Sequence, residues 1–225
     1  MAVSPGMVMS MCNLYRMTGA AQAIAQLFAA DTGGRNLPAM DAIYPDQLAP
    51  VVTAQGPRQG TSRQLEMMRW GWPPFGEIKR PITNVRNLAS PLWRSAMADP
   101  ARRCLVPVTA FSEWSAAPDP QTGRKRKHWF DLPDDPLFAF AGLWGMTEEG
   151  ARFAFLTCAP NEVVGRVHPK AMPVILRSGA GFDRWLAADG AGAAAMQVPL
   201  EDEVMREIAG DEAEGMAGSA QTSLF

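Results

Sequence analysis

The sequence lacks the features that mark membrane and secreted proteins. No apolar run approaches the roughly 18 residues that a membrane-spanning helix needs. The first ten residues contain no Lys or Arg, so they cannot form the basic end of a secretory signal. We therefore expect a cytoplasmic protein that does not associate with a membrane.

Cysteine is also scarce. The three cysteines (Cys12, Cys104 and Cys158) are odd in number and far apart, and none forms a Cys-x-x-Cys pair. This spacing excludes a disulfide framework and a structural zinc site, so we predict reduced thiols and no metal. Cys104 and Cys158 lie in apolar runs typical of packing thiols. Cys12 differs because it follows Met11 and precedes the core pattern.

The formal net charge of −2 conceals an uneven distribution. Residues 201–225 contain seven acids and one base, which leaves sixteen acids and twenty bases in residues 1–200. A body with a charge of +4 can hold a polyanion if its bases share one face. The alternative is a surface of scattered, solvated charges.

Short apolar or alternating runs punctuated by Pro, Gly and Asp predict a strand-rich domain. The predicted strands cover 48–54, 65–72, 103–114, 127–132, 137–146, 152–159 and 172–176. The predicted helices cover 18–30 with Thr18 as a possible cap, 90–98, 181–189 and 201–210. This mixture favours a single α+β domain built mainly on antiparallel sheet.

Two side chains are candidates for acid/base chemistry on their own merits. Glu113 lies inside the apolar run "TAFSEWS", where a carboxylate is paired, exposed on the outer face or held for proton transfer. His168, one of only two histidines, lies between a basic loop and a strand, where it is either catalytic or a surface or capping residue. The run "PDPQTGRKRK" (118–127) predicts an exposed, solubilising hairpin tip.

Seven segments in order carry a family resemblance: "MCNLYRM", "RWGWPPFG", "TNVRN", "RRCLVPVTAFSEW", "FAFAGLWG", "LTCAPN" and "VHPKAMPVIL". Together they resemble the SRAP family, the SOS response-associated peptidases that process abasic sites in DNA. The resemblance runs from Met11 to about Leu186. It implies one SRAP-like domain over residues 11–210 with curved antiparallel sheets and peripheral helices. Residues 1–10 are then a leader or a mis-assigned start, and residues 211–225 a flexible tail.

The resemblance implies a covalent chemistry for Cys12. In that family the initiator methionine is removed, and the exposed cysteine attacks the ring-opened aldehyde of an abasic site to form a thiazolidine. The α-amine and the thiol of one residue must both react, so only an N-terminal cysteine suffices. We therefore expect translation from Met11 or cleavage of residues 1–11. The alternative is an N-terminal extension on a protein that uses Cys12 only as a thiol.

Three further residues match active-site positions of the family. Glu113 would hold the α-amine and shuttle its proton, and His168 would act as general acid/base in opening the sugar ring. Asn84 in "TNVRN" would position the amine.

The DNA contacts implied by the resemblance combine bases with an apolar shelf. Arg86 matches an arginine that contacts phosphate. Many members have Gly-Arg after the cysteine, whereas Asn13 and Leu14 stand here, so that contact is either lost or passes to Arg16. The His-x-Arg-Met-Pro pattern is one residue longer here and offers Lys170 instead of arginine. The shelf for unpaired bases is expected from Trp70, Trp72, Pro73 and Phe75, with core packing as the alternative for Trp70.

The function implied is crosslinking to abasic sites in single-stranded DNA by a monomer associated with the nucleoid, with no cofactor. Self-processing of the leader and strand cleavage at the abasic site are possible accompanying activities. Two rivals stay open: a cysteine peptidase in which His168 activates Cys12 against other proteins, and a DNA-binding module without catalysis.

Overall fold

A computed structural model describes residues 12–54, 63–74, 76–177 and 179–208. The expected leader (1–10) and the expected tail (211–225) lie outside the described residues. None of the helices within the described ranges has the length and apolar character needed to cross a membrane.

The described residues form strands, short helices and two single 3₁₀ turns. The strands are β1 (Tyr15–Met17), β2 (Ala30–Asp31), β3 (Met40–Ile43), β4 (Leu48–Thr53), β5 (Arg63–Trp70), β6 (Asn84–Val85), β7 (Arg103–Val108), β8 (Ala110–Trp114), β9 (Lys127–Asp131), β10 (Phe138–Thr147), β11 (Gly150–Cys158), β12 (Met172–Pro173), β13 (Ile175–Leu176) and β14 (Arg206–Ile208). The helices are α1 (Ala21–Phe28), α2 (Pro91–Ala98), α3 (Glu162–Gly165), α4 (Ala180–Ala187) and α5 (Gly190–Ala194). The 3₁₀ turns are Pro100–Arg102 and Asp202–Val204.

Five strands close into a small barrel. The strands β11, β10, β7, β4 and β5 pair antiparallel in that order. The ring closes where β5 pairs parallel with β11, through Arg69 beside Arg152 and Trp70 beside Phe153. The short strand β6 adds to β11 at the same edge, with Asn84 beside Phe155. A second, antiparallel sheet has the order β14-β9-β8-β1-β3.

The two sheets meet through an aromatic core. Tyr15 on β1 contacts Trp70 and Phe140 of the barrel, with ring centroids 5.1 and 5.9 Å away. Phe155 stacks on Trp70 at 5.2 Å and packs against Phe140 at 4.7 Å. All four rings are buried, and such contacts between aromatic rings add to the stability that their buried area supplies. The strand that follows Cys12 is therefore fixed at the junction of the sheets.

Side chains alternate between the two faces of β8, and this alternation directs Glu113 into the junction of the two sheets. Tyr15 lies opposite Phe111 in the β1–β8 pair, so both side chains point toward the barrel. Side chains two residues apart on a strand share a face, and Glu113 therefore points the same way as Phe111. A carboxylate is thus carried into the apolar junction by strand geometry.

Gly71 allows the chain to turn sharply after β5. Its φ is +110°, and a Cβ at this position would lie 2.6 Å from Cβ of Pro81. Its N–H donates to the carbonyl of Phe153 at 2.8 Å, continuing the contact that closes the barrel. Only glycine fits this backbone and this close approach, so the turn sets the direction of Trp72.

The predicted α+β fold with mainly antiparallel sheet is confirmed. The predicted single strand 103–114 is instead two strands, β7 and β8, which belong to different sheets. The run 172–176 is likewise divided into β12 and β13.

The predicted helix over 201–210 is wrong. The chain forms a 3₁₀ turn and then β14, which pairs with β9. Arg206 binds Asp131 through two hydrogen bonds of 2.9 and 3.2 Å, and Glu207 binds the His128 ring at 2.6 Å. These contacts with a distant strand outweigh the local helical preference. Thr18 is also not a cap, since α1 begins after Ala20 without a side-chain cap.

Candidate active site

Cys12 is buried directly before β1, with 1% of its surface exposed. Its thiol donates to the carbonyl oxygens of Leu14 and Ser112, with Sγ–O distances of 3.8 and 3.7 Å. Burial raises the pKa of Cys12 well above its ordinary value, and the nearby charge of Glu113 raises it further. The thiol is therefore protonated at neutral pH.

Glu113 on β8 is a buried carboxyl, 2% exposed. Burial raises the pKa of Glu113 well above its ordinary value of 4.5, and a hydrogen bond with Cys12 opposes that shift. Its Oε1 is buried and has no hydrogen-bond partner among the described residues. Because a raised pKa favours the neutral acid, Glu113 can donate a proton as well as accept one.

His168 faces Glu113 from the loop that follows α3. The distance from its Nδ1 to Glu113 Oε2 is 3.9 Å. Asn161 caps α3 by accepting from the Val164 N–H at 3.0 Å, and the Val164 carbonyl accepts from the His168 N–H at 2.8 Å. Burial lowers the pKa of His168, and the positive charges of Lys170 and Lys125 lower it further. The imidazole is therefore neutral at physiological pH.

Asn84 on β6 ties Cys12 to the barrel. Its Nδ2 donates to the carbonyl of Cys12 at 3.2 Å and to Oγ1 of Thr83 at 2.8 Å. Its Oδ1 is buried and has no partner among the described residues. Asn84 thus holds the main chain of the residue whose thiol faces Glu113.

The structure brings Cys12, Asn84, Glu113 and His168 together from four separate parts of the chain. Three buried polar atoms of these four residues have no hydrogen-bond partner among the described residues: Oδ1 of Asn84, Oε1 of Glu113 and Nε2 of His168. Buried polar atoms are usually paired, so such a cluster beside a thiol marks a place for a polar reactant. No group of three or more His, Cys, Asp or Glu side chains in the described ranges could hold a metal ion.

Sequence reasoning missed Tyr15, which belongs to the same region. Its hydroxyl is buried without a partner among the described residues. Burial raises the pKa of Tyr15, and the neighbouring Cys104 and Cys12 thiols raise it further when they ionise. A tyrosine in a strand three residues after the predicted nucleophile is the signal that could have indicated it.

Two of the expected DNA-contact bases are exposed beside the site. Arg86 follows Asn84 by two residues, and Lys170 follows His168 by two residues. Trp72 and Pro73 are half-buried and line a surface hollow of about 420 Å³. Its other lining residues are Pro74, Leu92, Thr147, Glu148 and Glu149. Apolar rings with an acidic rim suit a base better than a phosphate.

Two of the expected contacts are wrong in this structure. Trp70 is 0% exposed, stacks on Phe155 and donates its indole N–H to the Thr83 carbonyl at 3.2 Å, so it is a core residue. Arg16 is 8% exposed, with its guanidinium carbon 3.8 Å from the centroid of Trp129 and its Nε bound to the Asp41 carbonyl. Neither side chain is available at the surface. Phe75 lies outside the described residues.

Replacing Glu113 by glutamine should change how stability depends on pH. A raised folded-state pKa contributes stability that is complete below the unfolded value of 4.5 and lost as pH rises through the folded-state pKa. The wild-type free energy of unfolding should therefore fall, relative to Glu113→Gln, by up to about 1.4 kcal/mol per pH unit in that interval. Urea unfolding at several pH values between 4.5 and 8 measures the difference.

The comparison must separate Glu113 from its neighbours. The lowered pKa of His168 acts in the opposite direction, since its contribution is present above 6.5 and is lost as pH falls. Both proteins retain His168, so its contribution cancels to first order in the difference. Parallel stability curves for the two proteins would show that Glu113 is already ionised in the folded state.

Comparisons with known proteins agree with the ordered motifs. The sequence model described as SOS response associated peptidase (SRAP) matches residues 11–211. A crystal structure of a protein from Bacteroides thetaiotaomicron is 19% identical, with a TM-score of 0.70 over 90% of this chain and 94% of that chain. A protein from Bordetella bronchiseptica is 24% identical, with a TM-score of 0.68 over 87% and 98% of the two chains.

A phage-related protein from Bordetella bronchiseptica is 18% identical, with a TM-score of 0.66 over 88% of this chain and 93% of that chain. The search of curated proteins gives no match. The structural likenesses establish the fold, and the sequence model covers nearly all of the chain described here. The protein therefore belongs to the SOS response associated peptidase family.

Proposed function

We propose that this protein binds single-stranded DNA at abasic sites and becomes covalently attached through Cys12, once the residues up to Met11 have been removed. Family membership supports a role in association with DNA. The observation that carries the finer proposal is the convergence of Cys12, Glu113, His168 and Asn84 on one buried polar cluster. Each of these residues has a task in the reaction.

The reaction begins at the α-amine of the processed Cys12. This amine adds to the aldehyde carbon of the ring-opened sugar, and loss of one water gives an imine. The thiol S–H then adds across the C=N bond: sulfur bonds to carbon, and the proton passes to nitrogen. The product is a five-membered thiazolidine ring, in which sulfur and nitrogen of Cys12 share one sugar carbon.

Glu113 and His168 supply the proton transfers. The Glu113 carboxyl lies against Cys12 and can accept a proton from the α-ammonium group and give it to the departing hydroxyl during imine formation. The neutral His168 ring can accept a proton from the sugar hydroxyl and return it to the ring oxygen, which opens the sugar to the aldehyde. Their separation of 3.9 Å lets a proton pass between them after a small movement.

Asn84 and the surface residues position the reactants. The hydrogen bond from Asn84 to the Cys12 carbonyl fixes the main chain from which the amine projects. Arg86 and Lys170 are exposed and would contact phosphates, while Trp72 and Pro73 offer apolar surface to an unpaired base. Binding should therefore weaken with salt and depend little on sequence. The proposal needs neither a cofactor nor a second subunit.

The environment of Cys12 disfavours a general cysteine peptidase. Such enzymes need a thiolate, usually stabilised by a cation that lowers the pKa of the cysteine. Here burial and Glu113 raise the pKa of Cys12 instead. An imine followed by ring closure does not require a preformed thiolate.

A denaturing gel tests the proposal directly. Protein begun at Met11 is incubated with single-stranded DNA that carries one abasic site, and with the same strand lacking that site. We expect a shifted band that survives denaturation only with abasic DNA. Reversible, salt-sensitive binding without such a band would make the protein a DNA-recognition module and contradict the catalytic roles of Glu113 and His168.

A further inference from the structure

The hairpin between β8 and β9 carries a run of four bases and begins beside the candidate site. Its base is closed by the Ser115 N–H, which donates to the Arg126 carbonyl at 2.9 Å. The Ala116 N–H donates to the carbonyl of Val167 at 2.9 Å, and Val167 immediately precedes His168. The hairpin is therefore tied to the loop that presents the imidazole.

Asp119 holds the tip of this hairpin in one conformation. Its carboxylate accepts from the N–H groups of Gln121 and Thr122, each at 2.8 Å, and forms an ion pair with Arg126. Its own N–H donates to the Arg124 carbonyl at 2.8 Å. The hydrogen bond from Thr122 is the largest cause that lowers the pKa of Asp119, so the carboxylate stays charged. A fixed tip loses little conformational entropy when it binds a ligand.

The four consecutive bases are not equivalent. Arg126 is neutralised by Asp119. The Lys127 ammonium lies 5.5 Å from the ring centroid of Trp114 and 6.0 Å from that of Trp129. Arg124 and Lys125 are exposed, and neither forms an ion pair with a described residue. Arg124 and Lys125 thus present two positive charges that no described carboxylate or aromatic ring engages, on a fixed support.

These charges are carried by a hairpin whose base is hydrogen-bonded to the loop of His168. The charge of Lys125 lowers the pKa of His168, as does that of Lys170 from the loop after α3. Two lysines from separate elements are therefore within electrostatic reach of the same imidazole. A loop whose bases served only for solubility would have no reason to be hydrogen-bonded to the loop of His168.

We propose that Arg124 and Lys125 form a phosphate-binding arm that holds the DNA backbone next to the abasic nucleotide. This inference rests on the proposed function. It adds a DNA-contact surface outside the seven sequence segments that carry the family resemblance. The partner is a nucleic acid strand, because adjacent guanidinium and ammonium groups on a fixed, exposed hairpin tip suit the repeated phosphates of its backbone. Lys170 would hold the strand from the other side of His168.

Salt-dependent binding of an intact single strand, measured by fluorescence anisotropy, tests the arm without the covalent step. The variant Arg124→Gln/Lys125→Gln is compared with Lys127→Gln/Arg184→Gln, which removes the same number of charges from the lysine beside Trp114 and from an exposed position on α4. The salt slope is the slope of the logarithm of the binding constant against the logarithm of the salt concentration. Each lost phosphate contact on a single strand lowers the magnitude of this slope by about 0.7. We expect the first variant to lose about 1.4 in slope and on the order of 10-fold in affinity near 0.1 M salt.

The outcomes separate the arm from the proposed function. The control variant should keep the wild-type slope and should crosslink abasic DNA like wild type. Equal slopes for the two variants would overturn the arm even if wild type crosslinks normally. A selective loss of slope in the first variant would support the arm even if wild type formed no crosslink, in which case only the proposed function would fail.

Discussion

Replacing Cys12 by alanine is expected to abolish the denaturation-stable adduct with abasic single-stranded DNA. The α-amine of the variant can still form an imine, but without the thiol no ring closes and the imine hydrolyses when the protein is denatured. The yield of stable adduct should fall by at least about 100-fold, comparable to the loss of an acid/base group. Denaturing gels of protein begun at Met11 measure the yield.

Borohydride distinguishes loss of the thiol from loss of the whole site. Reduction converts an imine to a stable amine, so Cys12→Ala should give a band with borohydride and none without it. Reversible binding of intact DNA should match that of wild type, because the side chain of Cys12 is 1% exposed and contributes little to the surface. A stable band without reductant would mean that another nucleophile, and not Cys12, makes the adduct.

Cys158 provides a matched control for this substitution. It is a buried thiol like Cys12, and its Sγ lies 3.8 Å from the carbonyl oxygen of Met172. Burial raises the pKa of Cys158 to about 11. Cys158→Ser retains a donor for the same carbonyl and should crosslink like wild type, which would show that the effect of Cys12→Ala does not come from perturbing a buried thiol in general.

The sequence predicted which residues come together in the candidate site better than it predicted their surroundings. Glu113 was identifiable because a carboxylate in an apolar strand is costly unless it is paired or used. His168 was a candidate from its position between a basic loop and a strand, the ordered motifs added roles for Cys12 and Asn84, and the structure brings all four together. What the motifs could not give was the protonation state of each group, since burial sets the pKa values and depends on the packing of both sheets.

Surface residues were harder to predict because exposure depends on contacts between distant segments. Trp70 lies on β5. The alternating pattern of this strand predicts which side chains share a face, but not which other residues cover that face. It is covered because Tyr15 and Phe155 reach it from other strands. Arg16 is likewise covered by Trp129, which lies more than a hundred residues later in the chain. Local periodicity carries no information about such partners.

The closure of the barrel and the formation of β14 also depend on contacts that local sequence patterns do not reveal. The barrel closes through two residue pairs between β5 and β11, which include Trp70 beside Phe153. The segment at 206–208 becomes a strand because β9 offers an edge and Asp131 binds Arg206. Both features depend on pairing between parts of the chain that are far apart in sequence.

A chain that retains residues 1–11 is expected to form no denaturation-stable adduct. Its Cys12 nitrogen is an amide, which cannot form an imine, so the thiol alone would give a hemithioacetal that reverts on denaturation. The loss should again be at least about 100-fold, since ring closure needs both groups on one carbon. The measurement uses a protease recognition sequence placed directly before Cys12, so that one preparation is assayed before and after cleavage.

Cleavage should also change the electrostatics of the site. The new α-ammonium group adds a positive charge to Cys12, which contacts Glu113, and an opposite charge favours the ionised carboxylate. The pKa of Glu113 should therefore be lower in the cleaved chain than in the uncleaved chain, where burial raises it. The pH dependence of the wild-type free energy of unfolding, taken relative to Glu113→Gln, should accordingly weaken after cleavage.

Intact mass identifies the reactive form. The mass of the adduct should correspond to a chain that begins at Cys12, and a stable adduct whose protein part still contains Met1 would contradict the requirement for a free α-amine. The natural segment of residues 1–11 can be followed in the same way without added protease. Its loss from wild type but not from Cys12→Ala would assign the cleavage to the Cys12 thiol, and its loss from both would assign it to other proteases.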